Sequence, residues 1–233
     1  GAGGNTITGS ASSMGDTITG GAGTDGITFA VANLDLLDTV DGGAGTDTLT
    51  ISGNGTIADA DFTNVTNIEA LTMGVGGANT YVLGAEYAES GSVTLNVAAG
   101  VANKITIGAG VTTAQTIAMG TGTDTISAAL SGAAMTFTIA ENNLAATDTI
   151  TGGTGSDTLT ITFGGANITA AEMANVTKIE TIKTASNAAG SLTLNDNNNV
   201  SSVLTINAAA NTSAAFTLDA SAENDGTIVY TGG

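Results

Sequence analysis

Two nested sequence repeats constrain the fold of this chain more than any other feature. One step of about 22 residues leads from Ile18 to Val40, from Ile27 to Leu49 and from Leu49 to Leu71. The segments around these positions alternate apolar residues with threonine, as short half-buried strands do. A step of about 22 residues is too short for a helix-containing βα unit but is the right length for one coil of a parallel β-helix.

A longer repeat encloses the short one. Asn64-Val65 recurs as Asn175-Val176, and Thr94-Leu95-Asn96 recurs as Thr205-Ile206-Asn207, both at a spacing of about 111 residues. Five short steps make one such copy. We therefore divide the chain into two internal repeats, at roughly 12–122 and 123–233.

These repeats predict an all-β fold, a right-handed parallel β-helix (β-solenoid) with about 22 residues per coil. About ten coils would form one continuous segment over residues 1–233, cut from a longer chain. The absence of proline fits strands that are hydrogen-bonded on both sides. A single helical turn is expected at residues 59–65 and again at 169–176. The apolar residues expected to stack inward in one row are Ile27, Leu49, Leu71, Leu159, Ile182 and Leu204.

The composition excludes several classes of function. The chain has no Cys and no His, which removes thiolate metal sites and the commonest catalytic base. Its 3 basic and 21 acidic residues give a net charge of -18, which disfavours nucleic acid and favours cations as partners. No apolar run approaches the length of a membrane helix, so no membrane insertion is expected. We also expect no enzymatic activity.

The residues that carry chemistry lie in a Gly-Gly-x-Gly-x-Asp-x-apolar-x nonapeptide. Three complete copies begin at Gly20, Gly42 and Gly152, and a near copy begins at Gly120. An additional aspartate precedes the nonapeptide aspartate at a constant distance in each complete copy. The predicted metal-binding residues are therefore Asp16, Asp25, Asp38, Asp47, Asp124, Asp148 and Asp157, with the turn glycines Gly21, Gly23, Gly43, Gly45, Gly122, Gly153 and Gly155.

Calcium is the metal that this chemistry favours. Ca²⁺ takes six to eight oxygen ligands, including backbone carbonyls, and glycine-rich turns allow carbonyls and short Asp carboxylates to converge. Asp25 and Asp47 have the spacing needed to stack in neighbouring coils. The alternative is that these residues only form turns, since Gly and Asp are common there. Glu69 and Glu180 either close a further ion site or face solvent from a strand.

The nonapeptides resemble the RTX, or hemolysin-type, calcium-binding repeats of Gram-negative bacteria. The remaining Thr/Ala/Gly-rich strands, with the recurring segments 64–72 and 175–183, are similar to the surface-layer (S-layer) proteins of the RTX group. The resemblance implies type I secretion, calcium-dependent extracellular folding and self-assembly into a cell-surface lattice. It also implies contact with cell-surface polysaccharide through other domains. The motifs here occur in separated pairs rather than in the long arrays of RTX toxins.

Three other functions compete with this interpretation. The chain fits a repeat or stalk segment of a type I-secreted RTX adhesin or biofilm matrix protein, which would form isolated fibres rather than a lattice. Ice binding would use Thr-x-Thr rows, but Thr17/Thr19, Thr48/Thr50 and Thr158/Thr160 are interrupted between the copies. A polysaccharide lyase would need basic residues in a groove, and the chain has no arginine.

Overall fold

The computed structural model describes residues 3–11, 14–75, 77–100, 102–198 and 202–233. In these residues the chain consists of short parallel strands joined by tight turns. In chain order the strands are β1 (Thr6–Thr8), β2 (Thr17–Ala22), β3 (Gly26–Ala30), β4 (Thr39–Ala44), β5 (Thr48–Ser52), β6 (Thr56–Ile57), β7 (Val65–Thr66), β8 (Ala70–Met73), β9 (Asn79–Leu83), β10 (Thr94–Asn96), β11 (Asn103–Ile107), β12 (Gln115–Ala118), β13 (Asp124–Ser127), β14 (Met135–Ala140), β15 (Thr149–Thr151), β16 (Thr158–Thr162), β17 (Asn167–Ile168), β18 (Val176–Thr177), β19 (Thr181–Thr184), β20 (Gly190–Thr193), β21 (Val203–Ala208), β22 (Phe216–Asp219) and β23 (Thr227–Gly232).

One face of the molecule is an eleven-stranded parallel sheet, which we call the long sheet. Its order is β1-β3-β5-β8-β10-β12-β14-β16-β19-β21-β23. Each strand pairs with the strand one coil later, and the step between register partners stays close to the predicted coil length. The fold is therefore the predicted all-β parallel solenoid of about ten coils.

The opposite face is divided among three shorter parallel sheets. Their orders are β2-β4-β7, β18-β15-β13-β11-β9-β6 and β17-β20-β22. The chain alternates between the long sheet and this second face. Each coil therefore places inward-pointing residues on both sides of a narrow core. Strands from both sequence copies share the long sheet, and β12-β14-β16 pair across residue 123. Residue 12, the expected start of the first copy, lies outside the described residues.

The core is built from the inward apolar residues of both faces. In the long sheet, the row predicted from the repeat spacing is present: Ile27 pairs with Leu49, Leu49 with Leu71, and Leu159 with Ile182. All five of these side chains are 0–2% exposed.

Leu204 does not belong to this row, and that part of the prediction is wrong. Ile182 pairs with Ile206, whereas Leu204 pairs with Ile228. The coil between β19 and β21 is longer than the coils at the start of the chain, so a constant step ends two residues too early. Leu204 is nevertheless 1% exposed, because a shift of two residues keeps a side chain on the same face of a strand.

Helical turns interrupt the second face where they were expected. A 3-10 turn covers Asp59–Phe62, and a short helix, α2, covers Ala170–Met173. The first separates β6, which pairs with the next coil, from β7, which pairs with the previous one. In α2, the Thr169 hydroxyl accepts from the Glu172 N–H at 3.4 Å and the Glu172 carboxylate accepts from the Thr169 N–H at 2.7 Å, a capping box.

Two further helical turns were not predicted. The helix α1 covers Ala85–Glu89, and a 3-10 turn covers Glu141–Asn143. The N-terminus of α1 is capped from the previous coil, because Asp59 Oδ1 accepts the N–H groups of Gly84 at 2.7 Å and Tyr87 at 3.0 Å.

Candidate metal centre

The aspartates of the first two nonapeptides stack at the corner that leads into the long sheet. The backbone N–H of Asp25 donates to Oδ1 of Asp47 at 2.7 Å, and the N–H of Asp47 donates to Oε2 of Glu69 at 2.7 Å. The N–H of Asn5 donates to Oδ1 of Asp25 at 2.6 Å. Each acidic side chain thus accepts the N–H of its counterpart one coil earlier. The carboxylates therefore form a continuous series of hydrogen bonds that connects the corners of four successive coils.

The second oxygen of each stacked aspartate has no partner. Asp25 and Asp47 are 1% and 0% exposed, and Oδ2 of each is buried without a hydrogen bond. A buried carboxylate oxygen without a donor is costly, and a bound cation is one way to compensate it. These two atoms therefore meet the requirement for metal ligands that the sequence predicted for Asp25 and Asp47.

The first glycine of each motif makes room for oxygen atoms. A Cβ on Gly20 would lie 2.4 Å from the Gly42 carbonyl oxygen and 2.5 Å from Oδ2 of Asp25. A Cβ on Gly42 would lie 2.0 Å from the carbonyl oxygen of Asn67 and 2.8 Å from Oδ2 of Asp47. In each case a carboxylate oxygen and a carbonyl oxygen of the next coil converge beside the glycine Cα. Only glycine allows this approach.

The two turns also stack closely on each other. Gly21 pairs with Gly43 and Ala22 with Ala44 in register. A Cβ on Gly43 would lie 2.1 Å from the carbonyl oxygen of Gly21, and one on Gly45 would lie 1.9 Å from that of Gly23. The predicted glycine positions of the first copy are thus brought together as two superimposed turns.

The turn of the second copy makes the same close approach at its first glycine, since a Cβ on Gly152 would lie 1.9 Å from the Lys178 carbonyl oxygen and 2.6 Å from Oδ2 of Asp157, but its hydrogen bonds differ. Oδ1 of Asp157 accepts from the Met135 N–H at 2.7 Å, and Oδ2 accepts from the Gly153 N–H at 2.6 Å. Burial raises the pKa of Asp157, and these two hydrogen bonds oppose the rise. A Cβ on Gly155 would meet the carbonyl oxygen of Ala133 at 2.5 Å, so this turn stacks on an ordinary loop. Both oxygens of Asp157 are already satisfied, and no second nonapeptide lies beside it.

Four predicted ligands lie at the other corner, which leads into the second face. Oδ1 of Asp38 accepts the N–H of Asp16 at 2.8 Å, and Oδ1 of Asp148 accepts the N–H of Asp124 at 2.9 Å. Local turns satisfy the second oxygens of Asp38 and Asp148: the N–H of Asp35 donates to Oδ2 of Asp38, and the N–H of Ala145 donates to Oδ2 of Asp148, both at 2.8 Å.

The near copy that contains Gly122 and Asp124 belongs to this second corner. Asp124 begins β13 on the second face, whereas the complete nonapeptides lead into the long sheet. Oδ1 of Asp124 accepts from the side chain of Asn103 at 2.8 Å. Burial raises the pKa of Asp124 to about 6, with a further rise from the Asp148 charge and a lowering by the Asn103 hydrogen bonds. Its local motif matches the others, but its position in the coil does not.

Sequence reasoning missed an exposed acidic triad. One carboxylate oxygen from each of Asp196, Glu223 and Asp225 lies within 4.8 Å of the others, an arrangement that could hold a metal ion. Both oxygens of Glu223 are buried without a hydrogen-bond partner, and burial and the neighbouring charges of Asp196 and Asp225 raise its pKa. Glu223 and Asp225 follow β22, and Asp196 follows β20 one coil earlier, so no local motif marks the three together.

A cavity of about 530 Å³ lies beside the second-copy turn and is lined by residues that include Gly153, Lys178 and Asn198. In the first copy, the buried Tyr87 of α1 stands at the sequence position that corresponds to Asn198.

Comparisons with protein-family models, curated proteins and solved structures found no match for this chain. Among the described residues, no helix has the length and apolar character needed to cross a membrane.

Proposed function

We propose that the chain is a calcium-stabilised structural module of a secreted bacterial surface-layer protein that self-assembles into an extracellular lattice. One observation carries the calcium part of the proposal. Two stacked glycine turns each bury a carboxylate oxygen, Oδ2 of Asp25 and Oδ2 of Asp47, that has no hydrogen-bond partner. The RTX-like nonapeptides and the solenoid fold support the rest.

The oxygen ligands available at these turns are of the types that calcium prefers. Ca²⁺ prefers carboxylate and carbonyl oxygens, and Asp25, Asp47 and the carbonyl groups of Gly42 and Asn67 supply both. A bound ion would supply positive charge to compensate two buried carboxylates. The chain itself holds those carboxylates in place through the N–H groups of Asn5 and Asp25.

Calcium would also couple folding to location. The net charge of -18 opposes compaction. An ion that binds only the coiled state stabilises it by about 2.7 kcal/mol when present at 100 times its dissociation constant. Where calcium is scarce, inside the cell, the chain would stay competent for type I export. Outside the cell it would fold and assemble on the surface of a Gram-negative bacterium, with other domains contacting cell-surface polysaccharide.

The two copies offer a matched test of this proposal. Asp47→Asn keeps the Oδ1 acceptor but replaces Oδ2, whereas Asp157→Asn alters a carboxylate whose two oxygens are already satisfied. We expect calcium to raise the melting temperature of the wild type and of Asp157→Asn. The calcium-dependent rise should be reduced or lost in Asp47→Asn, as measured by circular dichroism with calcium and with EGTA.

Electron microscopy of the same samples tests assembly. A regular lattice that forms in calcium and disperses in EGTA supports the surface-layer function, while isolated fibres would favour the adhesin stalk. An unchanged β-signal together with intact assemblies in excess EGTA would contradict the calcium-dependent account.

A further inference from the structure

The outward face of the long sheet carries two rows of mostly small and, apart from Lys183, uncharged side chains. In the first row, six consecutive coils place threonine in register: Thr94, Thr116, Thr136, Thr158, Thr181 and Thr205. In the second row, the first four coils do the same with Thr8, Thr28, Thr50 and Thr72.

The first of these rows crosses the boundary between the two copies without a gap. Thr17 and Thr19, which the sequence analysis counted with these rows, lie in β2 on the second face. The rows through Thr48/Thr50 and Thr158/Thr160 are interrupted as expected, at Ala70 in the first row and at Asn96 and Ala118 in the second.

These rows are almost free of charge on a highly charged molecule. Lys183 is their single charged residue in the described strands, and they contain no acidic side chain. The second face carries Asp41, Lys104 and Asp219 on its outward positions. Two copies of a chain with a net charge of -18 repel each other, and the repulsion is weakest where the surfaces in contact lack carboxylates. The long sheet offers such a surface.

The size of the face matches that of a stable protein interface. Eleven strands spaced at about 4.8 Å extend about 50 Å, and the outward residues of each strand cover a width of about 15 Å. The resulting area of about 750 Å² is close to the roughly 800 Å² that each partner buries in a standard interface.

We propose that the outward face of the long sheet packs against the same face of a second copy of this chain. This inference rests on the proposed function, since it assigns the surface through which the module self-assembles. A neutral face is complementary to itself, as a two-fold contact requires. Small β-branched side chains allow two flat sheets to interdigitate closely.

A second copy fits the face better than ordered water or ice does. A water lattice needs the same hydroxyl group in every coil. Here Gly26, Ala70 and Ala118 lack a hydroxyl, and Lys183 projects a charged chain from the second row. Packing against protein requires only that the side chains be small and mostly uncharged.

The test compares two double substitutions with the same change in charge. Thr136→Lys with Thr158→Lys alters paired positions on the long sheet, and Thr125→Lys with Thr149→Lys alters paired positions on the second face. Sedimentation of the full chain in calcium measures self-association. Like charges that meet across an interface cost several kcal/mol, so we expect the long-sheet variant to associate roughly a hundredfold more weakly. The control should associate at least as well as the wild type.

A third variant tests the face without introducing charge. Lys183→Thr extends the second threonine row and should strengthen association. The melting temperature of every variant is also measured with calcium and with EGTA. A calcium-dependent rise in melting temperature tests the proposed metal centre, whereas self-association tests the long-sheet face, so the two proposals can fail separately.

Three results would overturn the inference. Association could be unchanged in both the long-sheet variant and Lys183→Thr, or it could be lost only in the second-face control. The third such result is a wild-type chain that stays monomeric at all concentrations while its melting temperature still responds to calcium. A monomer that produces thermal hysteresis would assign the face to ice instead.

Discussion

Leu49 provides the sharpest test of the coil register. Its side chain is 1% exposed and stacks between Ile27 and Leu71 in the inward row of the long sheet. Truncation to alanine removes buried methyl groups and leaves a cavity that the strands above and below hold open, at a cost of about 2–5 kcal/mol. For a chain of this size each kcal/mol lowers the melting temperature by about 2–4 °C, so Leu49→Ala should melt about 4–20 °C lower.

The matched control is Leu36→Ala, since Leu36 is 58% exposed. Its melting temperature should change little, because surface substitutions usually fall within about 0.5 kcal/mol. Leu49→Asp should be more destabilising than Leu49→Ala, because it buries an unpaired carboxylate. Thermal melts followed by circular dichroism in calcium measure all three variants. If the melting temperature of Leu49→Ala equals that of Leu36→Ala and of the wild type, the inward row is misassigned.

Three further predictions concern turns and corners. Gly42→Ala should lower the free energy of unfolding by about 1–3 kcal/mol or more, since its Cβ would lie 2.0 Å from the Asn67 carbonyl oxygen. The control Gly26→Ala should leave it nearly unchanged, because the Cβ there would lie 3.9 Å from the nearest atom, and chemical denaturation measures both variants. Burial raises the pKa of Asp124 to about 6, so the contribution of its protonated carboxyl to stability is full below the unfolded pKa of about 3.9 and is lost as pH rises through about 6. Asp124→Asn should remove this pH-dependent loss of stability, and a decline in the free energy of unfolding of Asp124→Asn in urea over that pH window that equals or exceeds the wild-type decline would refute the prediction. Thr169→Ala should cost about 0.5–2 kcal/mol by removing the N-cap of α2, and an unchanged denaturation midpoint would argue against the cap.

The sequence predicted the regular parts of the fold because the physics there is local. Alternation of apolar residues with threonine determines which side chains point inward, and the one-coil spacing from Ile27 to Leu49 determines which of them stack. Where a coil changes length, as before Leu204, the spacing alone gives the wrong partner. The correct partner of Ile182, Ile206, depends on how many residues the intervening loop contains.

The candidate metal centre was only partly predictable for a related reason. The nonapeptide identifies Asp25, Asp47, Asp124 and Asp157 as similar, yet among these four only the first two have a buried carboxylate oxygen without a hydrogen-bond partner. Whether a turn stacks on another nonapeptide or on a plain loop depends on the sequence of the neighbouring coil, which a local motif does not include. The helix α1 shows the same dependence, because its cap, Asp59, lies in the previous coil.

A crystal structure of the chain grown in calcium would test the central claim most directly. We predict an ion at the stacked turns Gly20–Asp25 and Gly42–Asp47, bound by Oδ2 of Asp25 or Asp47 together with backbone carbonyl oxygens, and no ion at Asp157. Well-ordered turns without an ion in saturating calcium, with both Oδ2 atoms hydrogen-bonded to protein or water, would contradict the account.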